Sequence, residues 1–100
     1  MYRGTTPTHK FVLPFDCSLV GEIRVIYKQD DEIILEKKTS DCSLEDCTVC
    51  VDLTQEETFL FDCHKNVSIQ LRVLTNMGQS LITKPKVIDV GECLSEEVLK

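Results

Sequence analysis

Six cysteines and two histidines are the residues of this chain whose types suit metal binding or nucleophilic chemistry. A structural zinc site needs four such ligands converging in a tetrahedron. The most suggestive spacing is Cys47-x-x-Cys50, with Cys42 upstream and the Cys63-His64 pair downstream. The full set is Cys17, Cys42, Cys47, Cys50, Cys63 and Cys93. Zinc binding, disulfide formation and a reactive thiol are therefore the three chemistries to weigh.

The local pattern argues against a zinc site at Cys47 and Cys50. Apolar residues alternate with polar ones from position 47 to 53, which predicts a strand. Residues three apart in a strand point to opposite faces and lie roughly 10 Å apart, so one ion cannot bind both sulfurs. A second Cys-x-x-Cys pair is missing as well. We therefore predict no metal site, with Cys47 facing inward and Cys50 facing outward.

Disulfides and a catalytic thiol are the remaining alternatives for the cysteines. Residues 1–8 contain no apolar leader, so we expect synthesis in a reducing cytoplasm, where disulfides are rare. A catalytic cysteine needs a base beside it, and His9 and His64 each fall near a predicted strand end or turn. We predict that the cysteines are reduced, and that they serve as small apolar fillers and turn residues.

Charge and motifs exclude several functional classes. The carboxylates fall mainly in predicted turns and at a helix start, as in Asp30-Asp31 and Glu56-Glu57. The chain has no nucleophile elbow, phosphate-binding loop or zinc-protease motif. Its net charge is −6 with scattered basic residues, so nucleic acid is not an expected partner. No apolar run is long enough to span a membrane. We predict no catalytic residues, no cofactor and no enzymatic activity.

Predicted β-strands and their connecting turns position the cysteine and histidine side chains. β-Branched residues are plentiful and alanine is absent, which disfavours helices. Alternation predicts strands over residues 11–15, 22–28, 32–37, 47–53, 67–74 and 79–90, the last being one strand or two broken at Lys84-Pro85. Turn residues separate them, as in Asn76-Met77-Gly78. The pattern predicts an all-β, immunoglobulin-like antiparallel β-sandwich of about seven strands. A small open barrel is the alternative.

The remaining segments are predicted from local signals. Thr54 and Glu57 have capping-box spacing, which indicates one short helical turn near residues 54–60. We assign residues 1–8 to a flexible N-terminal arm, 9–93 to the sandwich domain and 94–100 to a polar tail that forms one helical turn. The predicted core is Phe11, Leu13, Ile23, Val25, Tyr27, Val49, Val51, Leu53, Phe59, Val67, Ile69, Leu71 and Val73. The residues predicted to face solvent or a partner are Arg24, Lys28, Asp52, Gln70 and Arg72.

Five segments together carry a family resemblance. They are Tyr2-Arg3-Gly4-Thr5-Thr6-Pro7-Thr8, Leu13-Pro14-Phe15-Asp16, residues 23–29, Leu53-Thr54-Gln55-Glu56-Glu57-Thr58 and Ile69-Gln70-Leu71-Arg72-Val73. They resemble small proteins encoded in the tail regions of Firmicutes phages and prophages. They are also loosely similar to the immunoglobulin-like N-terminal domain of phage upper-baseplate proteins. The resemblance spans roughly residues 2–90 and implies a structural part without catalytic residues. The stretch from Cys42 to Cys50 has no counterpart in that pattern.

The resemblance and the absence of site motifs lead to one functional expectation. We expect a non-enzymatic structural or assembly component of a phage or prophage tail or baseplate, located in the virion. Its partners would be other phage structural proteins or further copies of itself, reached through the arm or the edge near Lys84-Pro85-Lys86. The isolated domain is expected to be monomeric or weakly associated. Two alternatives are an intracellular cysteine-based metal-binding or redox-responsive module and an extracellular adhesin-like sandwich with disulfides.

Overall fold

Alternating apolar and polar residues form eight strands in the computed structural model, which describes residues 1–100. The strands are β1 (Thr8–Val12), β2 (Val20–Gln29), β3 (Glu32–Lys38), β4 (Cys42–Glu45), β5 (Thr48–Asp52), β6 (Val67–Thr75), β7 (Ser80–Ile82) and β8 (Lys86–Ile88). One antiparallel sheet has the order β1-β5-β4, and the other has the order β3-β2-β6-β7, with β8 also paired to β6. The two sheets pack as a sandwich, which confirms the predicted all-β fold.

The two longest strands, β2 and β6, form the centre of the larger sheet. They pair in antiparallel register from Val20 opposite Thr75 to Lys28 opposite Ser68. Both strands send alternate side chains into the core, and these are at most 4% exposed. The buried set is Ile23, Val25, Tyr27, Val67, Ile69, Leu71 and Val73. A slip of one residue would replace them with the opposite face of each strand, so burial fixes the register.

The predicted core agrees closely with the observed one. All predicted core residues are buried except Phe11 and Phe59, which are half-buried. Phe61 fills the position expected for Phe59: it is 1% exposed and lies 5.8 Å from the Tyr27 ring, centroid to centroid. Cys17 and Val90 are also buried. Of the residues predicted to face outward, Asp52 and Arg72 are exposed, whereas Arg24, Lys28 and Gln70 are half-buried.

Several element boundaries differ from the predictions. β1 ends at Val12 and does not extend to Phe15, because Pro14 has no amide hydrogen for a ladder. β4 lies between the predicted strands at 32–37 and 47–53, where the sequence predicts no strand. It is an edge strand with mostly exposed residues, so burial imposes no alternation on its sequence. Residues 94–100 form no helical turn, because a short polar segment gains too little from burial to offset the cost of ordering.

The predicted turn chemistry is confirmed at two places. Thr54 and Glu57 form the capping box at the start of α1 (Gln55–Thr58), with each side chain bonded to the other's backbone amide. Gly78 has a φ of +86°, which allows the tight connection between β6 and β7. Glu57 also pairs with Lys37 on β3, 2.5 Å away, and so ties α1 to the larger sheet. No helix has the length and hydropathy needed to cross a bilayer.

The last segment of the sandwich is an edge strand in two pieces, as predicted for the region around Pro85. β7 pairs with the C-terminal half of β6 and β8 with its N-terminal half. Thr83 bridges the gap between them. Its amide donates to the Leu71 carbonyl at 3.0 Å, and its hydroxyl accepts from the Leu71 amide at 3.0 Å. β7 and β8 pair with no strand on their outer side.

The N-terminal segment, predicted to be a flexible arm, lies against the domain. Met1 accepts a hydrogen bond from the Gly91 amide at 2.6 Å, and the Arg3 amide donates to the Gly91 carbonyl at 3.0 Å. The Gly4 amide donates to the Thr58 hydroxyl at 2.9 Å, and Thr58 is fully buried. Backbone bonds of this kind leave no periodic pattern, so composition alone suggested a free segment.

A hydrogen bond between two side chains crosses from one sheet to the other. The Tyr27 hydroxyl on β2 lies 2.8 Å from Nδ1 of His9 on β1. Burial raises the pKa of Tyr27, so its hydroxyl keeps the proton and donates it when Nδ1 is unprotonated. Burial, followed by the charges of Lys86 and the N-terminal ammonium, lowers the pKa of His9 below its ordinary value of 6.5. His9 is therefore neutral in the folded protein near pH 7.

The substitution Leu71→Ala tests the register of the central strands. Leu71 is fully buried, so the truncation leaves a cavity and should cost about 2–5 kcal/mol of unfolding free energy. Leu74→Ala, on the outward face of the same strand, is the matched control and should cost much less, since Leu74 is 41% exposed. Urea denaturation measures both. Equal losses for the two variants would show that the strand faces are assigned wrongly.

The pKa of His9 predicts how stability depends on pH. The pKa of His9 in the folded protein lies below its ordinary value of 6.5. The contribution of His9 to the free energy of unfolding is therefore fully present well above pH 6.5. It falls at lower pH, where the unfolded chain binds a proton that the folded protein excludes. Between pH 7 and 5, the wild type should lose more unfolding free energy than His9→Gln, which has no ring to titrate. Identical pH profiles for the two proteins would contradict this prediction.

Candidate functional site

The cysteines are spread over the fold, and all six are free thiols. Cys17 is buried in the short 3-10 turn (Cys17–Leu19) directly before β2, and its sulfur points to the Thr48 carbonyl at 3.6 Å. Cys42 starts β4 and donates to the Lys38 carbonyl at 3.3 Å. Burial raises the pKa of both thiols, and the neighbouring Asp16 and Asp41 carboxylates add to it. A nucleophilic cysteine needs a lowered pKa, so neither environment favours that chemistry.

The Cys47/Cys50 pair is arranged differently from the prediction. Cys50 lies in β5, on the face opposite the buried Val49 and Val51, as expected for an outward position. Cys47 precedes β5 in the turn that joins it to β4, so the expectation that both lie in one strand is wrong. The positive φ of Asp46 makes that turn and starts the strand one residue late. The thiols of this region do not meet a third metal-binding group within 4.8 Å.

One set of metal-binding side chains does converge, in the loop between α1 and β6. Ligand atoms of Asp62, Cys63 and His64 all lie within 4.8 Å of one another. Asp62 accepts a hydrogen bond from the His64 amide at 2.8 Å, which folds the loop into a tight turn. Cys63 is half-buried, while Asp62 and His64 are exposed. The sequence pointed to Cys63 and His64 but not to Asp62 as a third member.

A buried amide holds this loop in place. Gln29, the last residue of β2, is 4% exposed. Its Nε2 donates to the carbonyls of Asp62, at 2.8 Å, and Lys65, at 3.1 Å. Its Oε1 accepts from the Asp62 amide at 2.8 Å. Gln29 therefore fixes the backbone on both sides of Cys63 and His64, at a position where the parity of β2 points a side chain inward.

A second candidate site is an apolar groove beside the edge strand β7. The groove consists of two adjoining depressions of about 220 and 240 Å³, which share Phe15 and Leu81. Its rim exposes large apolar side chains that the core leaves outside. The groove is defined by Phe15, Leu19, Met77, Leu81 and Ile82. Met77 is 88% exposed and Ile82 is 62% exposed.

The groove differs in chemistry from the rest of the surface. Charged residues make up 28% of the chain, yet none lines either depression. The core of a protein–protein contact is likewise depleted of charge and rich in aromatic residues and methionine. The neighbouring edge of β7 also has no strand partner. The groove thus combines apolar surface with free backbone groups, which is what strand addition uses.

The sequence predicted the edge but not the groove. Pro85 identified the region as an edge strand, whereas Phe15, Leu19 and Met77 lie in separate turns. Only the folded chain brings those turns together, through bonds such as that from the Asn76 amide to the Leu19 carbonyl at 2.8 Å. The adjacent pair Leu81-Ile82 was the one available signal, because an alternating strand with one solvent face rarely has two neighbouring apolar residues.

Removing the side-chain amide of Gln29 tests whether it holds the loop between α1 and β6 in place. Gln29→Met keeps the volume but removes three hydrogen bonds and leaves the Lys65 carbonyl and the Asp62 amide without partners, which should cost about 1–3 kcal/mol of unfolding free energy. Gln79→Met, at an exposed turn position, is the matched control and should be nearly neutral. Chemical denaturation measures both. A Gln29 variant as stable as the control would contradict the clamping role.

The chain was compared with models of protein families, with curated proteins and with solved structures. None of the three comparisons gives a match. The function must therefore be argued from the residues and the geometry of this chain.

Proposed function

We propose that this chain is a non-enzymatic structural or assembly component of a phage or prophage tail or baseplate. Its working surface is the apolar groove with the free edge of β7. The resemblance of its segments to phage tail-region proteins supports the phage setting. The groove supports an assembly role, because large exposed apolar patches on small proteins commonly mark contact sites. Its partner is another structural protein of the same particle or a further copy of the chain.

The groove supports the assembly role better than the N-terminal segment does. The backbone groups of Met1, Arg3 and Gly4 are already bonded within the chain. The Arg3 side chain is engaged too, with Glu96 at 2.6 Å and the Phe59 carbonyl at 3.1 Å. A partner would have to displace these bonds to recruit the segment. The outer edge of β7 requires no such exchange, since it is open in the isolated domain.

The groove is small, which sets an expectation for affinity. Stable interfaces bury about 800 Å² on each partner, more than this groove alone provides. The isolated domain should therefore stay monomeric in dilute solution and join an assembly only where neighbours supply further contacts. This behaviour suits a part that is built into a particle at high local concentration.

Charge placed in the groove tests this proposal. In a strain carrying the phage or prophage that encodes the chain, Met77→Asp and Leu81→Asp should each strongly reduce incorporation into particles. A carboxylate in the centre of an apolar contact loses its hydration without gaining a partner. Incorporation is measured by immunoblotting purified particles from a complementation assay.

Val12→Asp is the matched control for that experiment. Val12 is 75% exposed on β1, outside the groove, so its substitution should leave incorporation unchanged. Circular dichroism must show that all three variants remain folded. Normal incorporation of both groove variants would refute the groove as the assembly surface, and absence of the wild-type chain from particles would refute the phage role itself.

A further inference from the structure

The loop before β6 offers three different metal-binding atoms to one point. The Asp62 carboxylate, the Cys63 thiol and the His64 imidazole have ligand atoms within 4.8 Å of one another. Around a tetrahedral zinc ion, sulfur and nitrogen ligands lie about 3.5 Å apart, because the metal–ligand bonds are about 2.0–2.3 Å long. The ligand atoms must therefore move closer together when an ion binds, and the exposed or half-buried positions of these side chains leave them room to rotate.

The backbone of this loop is fixed before any ligand binds. Gln29 bonds to Asp62 and Lys65, on either side of the Cys63-His64 pair. The loop is also anchored at its two ends by Phe61, 1% exposed, and Val67, fully buried. A preorganised loop loses little conformational entropy on binding, so more of the metal–ligand energy appears as affinity. This is the support that a metal site on a loop requires.

The cleft beside the loop adds carboxylates that lie outside the cluster of three ligand atoms. Asp62, Cys63 and His64 share a cleft of about 420 Å³ with Glu92 and Glu96 from the C-terminal segment. Arg3 also lines this cleft, but it is paired with Glu96 at 2.6 Å. Glu92 forms no ion pair, so its carboxylate is available. The cleft therefore holds two unpaired carboxylates beside a thiol and an imidazole.

We propose that Asp62, Cys63 and His64 bind one zinc ion, with Glu92 or a water molecule at the fourth position. The mixed sulfur, nitrogen and oxygen donors suit zinc, whereas calcium and magnesium prefer sites made only of oxygen. Binding requires the Cys63 thiolate, so the Sγ–H bond breaks and its proton passes to solvent as the Zn–S bond forms. The affinity consequently rises with pH. This site lies apart from the apolar groove and is independent of it.

Cobalt(II) serves as the spectroscopic probe of this site on the full chain, purified with reductant and stripped with chelator. One Co²⁺ per chain should bind with tetrahedral d–d bands and a thiolate-to-cobalt charge-transfer band, and added Zn²⁺ should remove both. Cys63→Ser should abolish the charge-transfer band. His64→Gln and Asp62→Asn should each weaken Co²⁺ binding at least about tenfold. Losing a residue that only hydrogen-bonds to a metal ligand already costs about that much, and these two residues would touch the metal itself. Asp62→Asn retains the oxygen that accepts from the His64 amide, so the turn is preserved.

Cys93→Ser is the matched control, because Cys93 lies in the C-terminal segment and donates to the Ser95 carbonyl. It should bind Co²⁺ like the wild type. Zinc should also raise the melting temperature of the wild type and of Cys93→Ser, but not that of Cys63→Ser. A charge-transfer band that survives in Cys63→Ser would place the metal at another cysteine and overturn the proposal. Wild-type binding no tighter than that of Cys63→Ser would overturn it as well.

Discussion

The antiparallel pairing of β2 with β6 is the constraint on which the rest of this structure depends. The pairing runs from Val20 opposite Thr75 to Lys28 opposite Ser68, and it aligns the two most buried rows of side chains. Each strand uses its other edge to hold a neighbour, β3 on one side and β7 with β8 on the other. The register therefore positions the whole larger sheet. Burial of apolar side chains supplies the driving force, because only one register places them all inside.

Both candidate sites follow from that register. Gln29 continues the inward row of β2 one step past Tyr27, so its amide meets the loop that leads into β6. At the other end of β6, the hairpin through Gly78 turns the chain back as β7 and leaves the outer edge open. One end of the central pair thus carries a closed, hydrogen-bonded loop with metal-binding side chains. The other end carries an apolar groove with free backbone groups.

The sequence predicted those parts of the fold in which burial imposes a pattern. β2, β5 and β6 have one buried face each, so their alternation and core residues could be inferred correctly. The Thr54/Glu57 capping box and the Gly78 turn could be inferred because their chemistry is local. β4 could not be inferred, because an exposed edge strand is not required to alternate. The docking of Met1 and Arg3 at Gly91 could not be inferred either, since backbone hydrogen bonds between distant segments leave no trace in residue types.

The candidate sites were predicted less completely than the fold, because they depend on how loops and turns are placed by tertiary packing. Cys63 and His64 stood out by residue type, but Asp62 resembled an ordinary turn residue until the loop geometry was known. The inward parity of β2 already placed Gln29 inside, so its supporting role could have been inferred from alternation. The groove joins Phe15, Leu19 and Met77 from separate turns, and their proximity depends on tertiary packing alone.

Native-state hydrogen exchange followed by NMR tests the central place of the β2–β6 pair most directly. Amides in the interior of β2 and β6 should exchange only through global unfolding, with a free energy equal to that from denaturation. Amides of β7 should exchange through local opening at a clearly lower free energy, because its outer edge is unpaired. If β7 is protected as strongly as β6, or if β2 and β6 open locally, the pairing is not the constraint on which the structure depends.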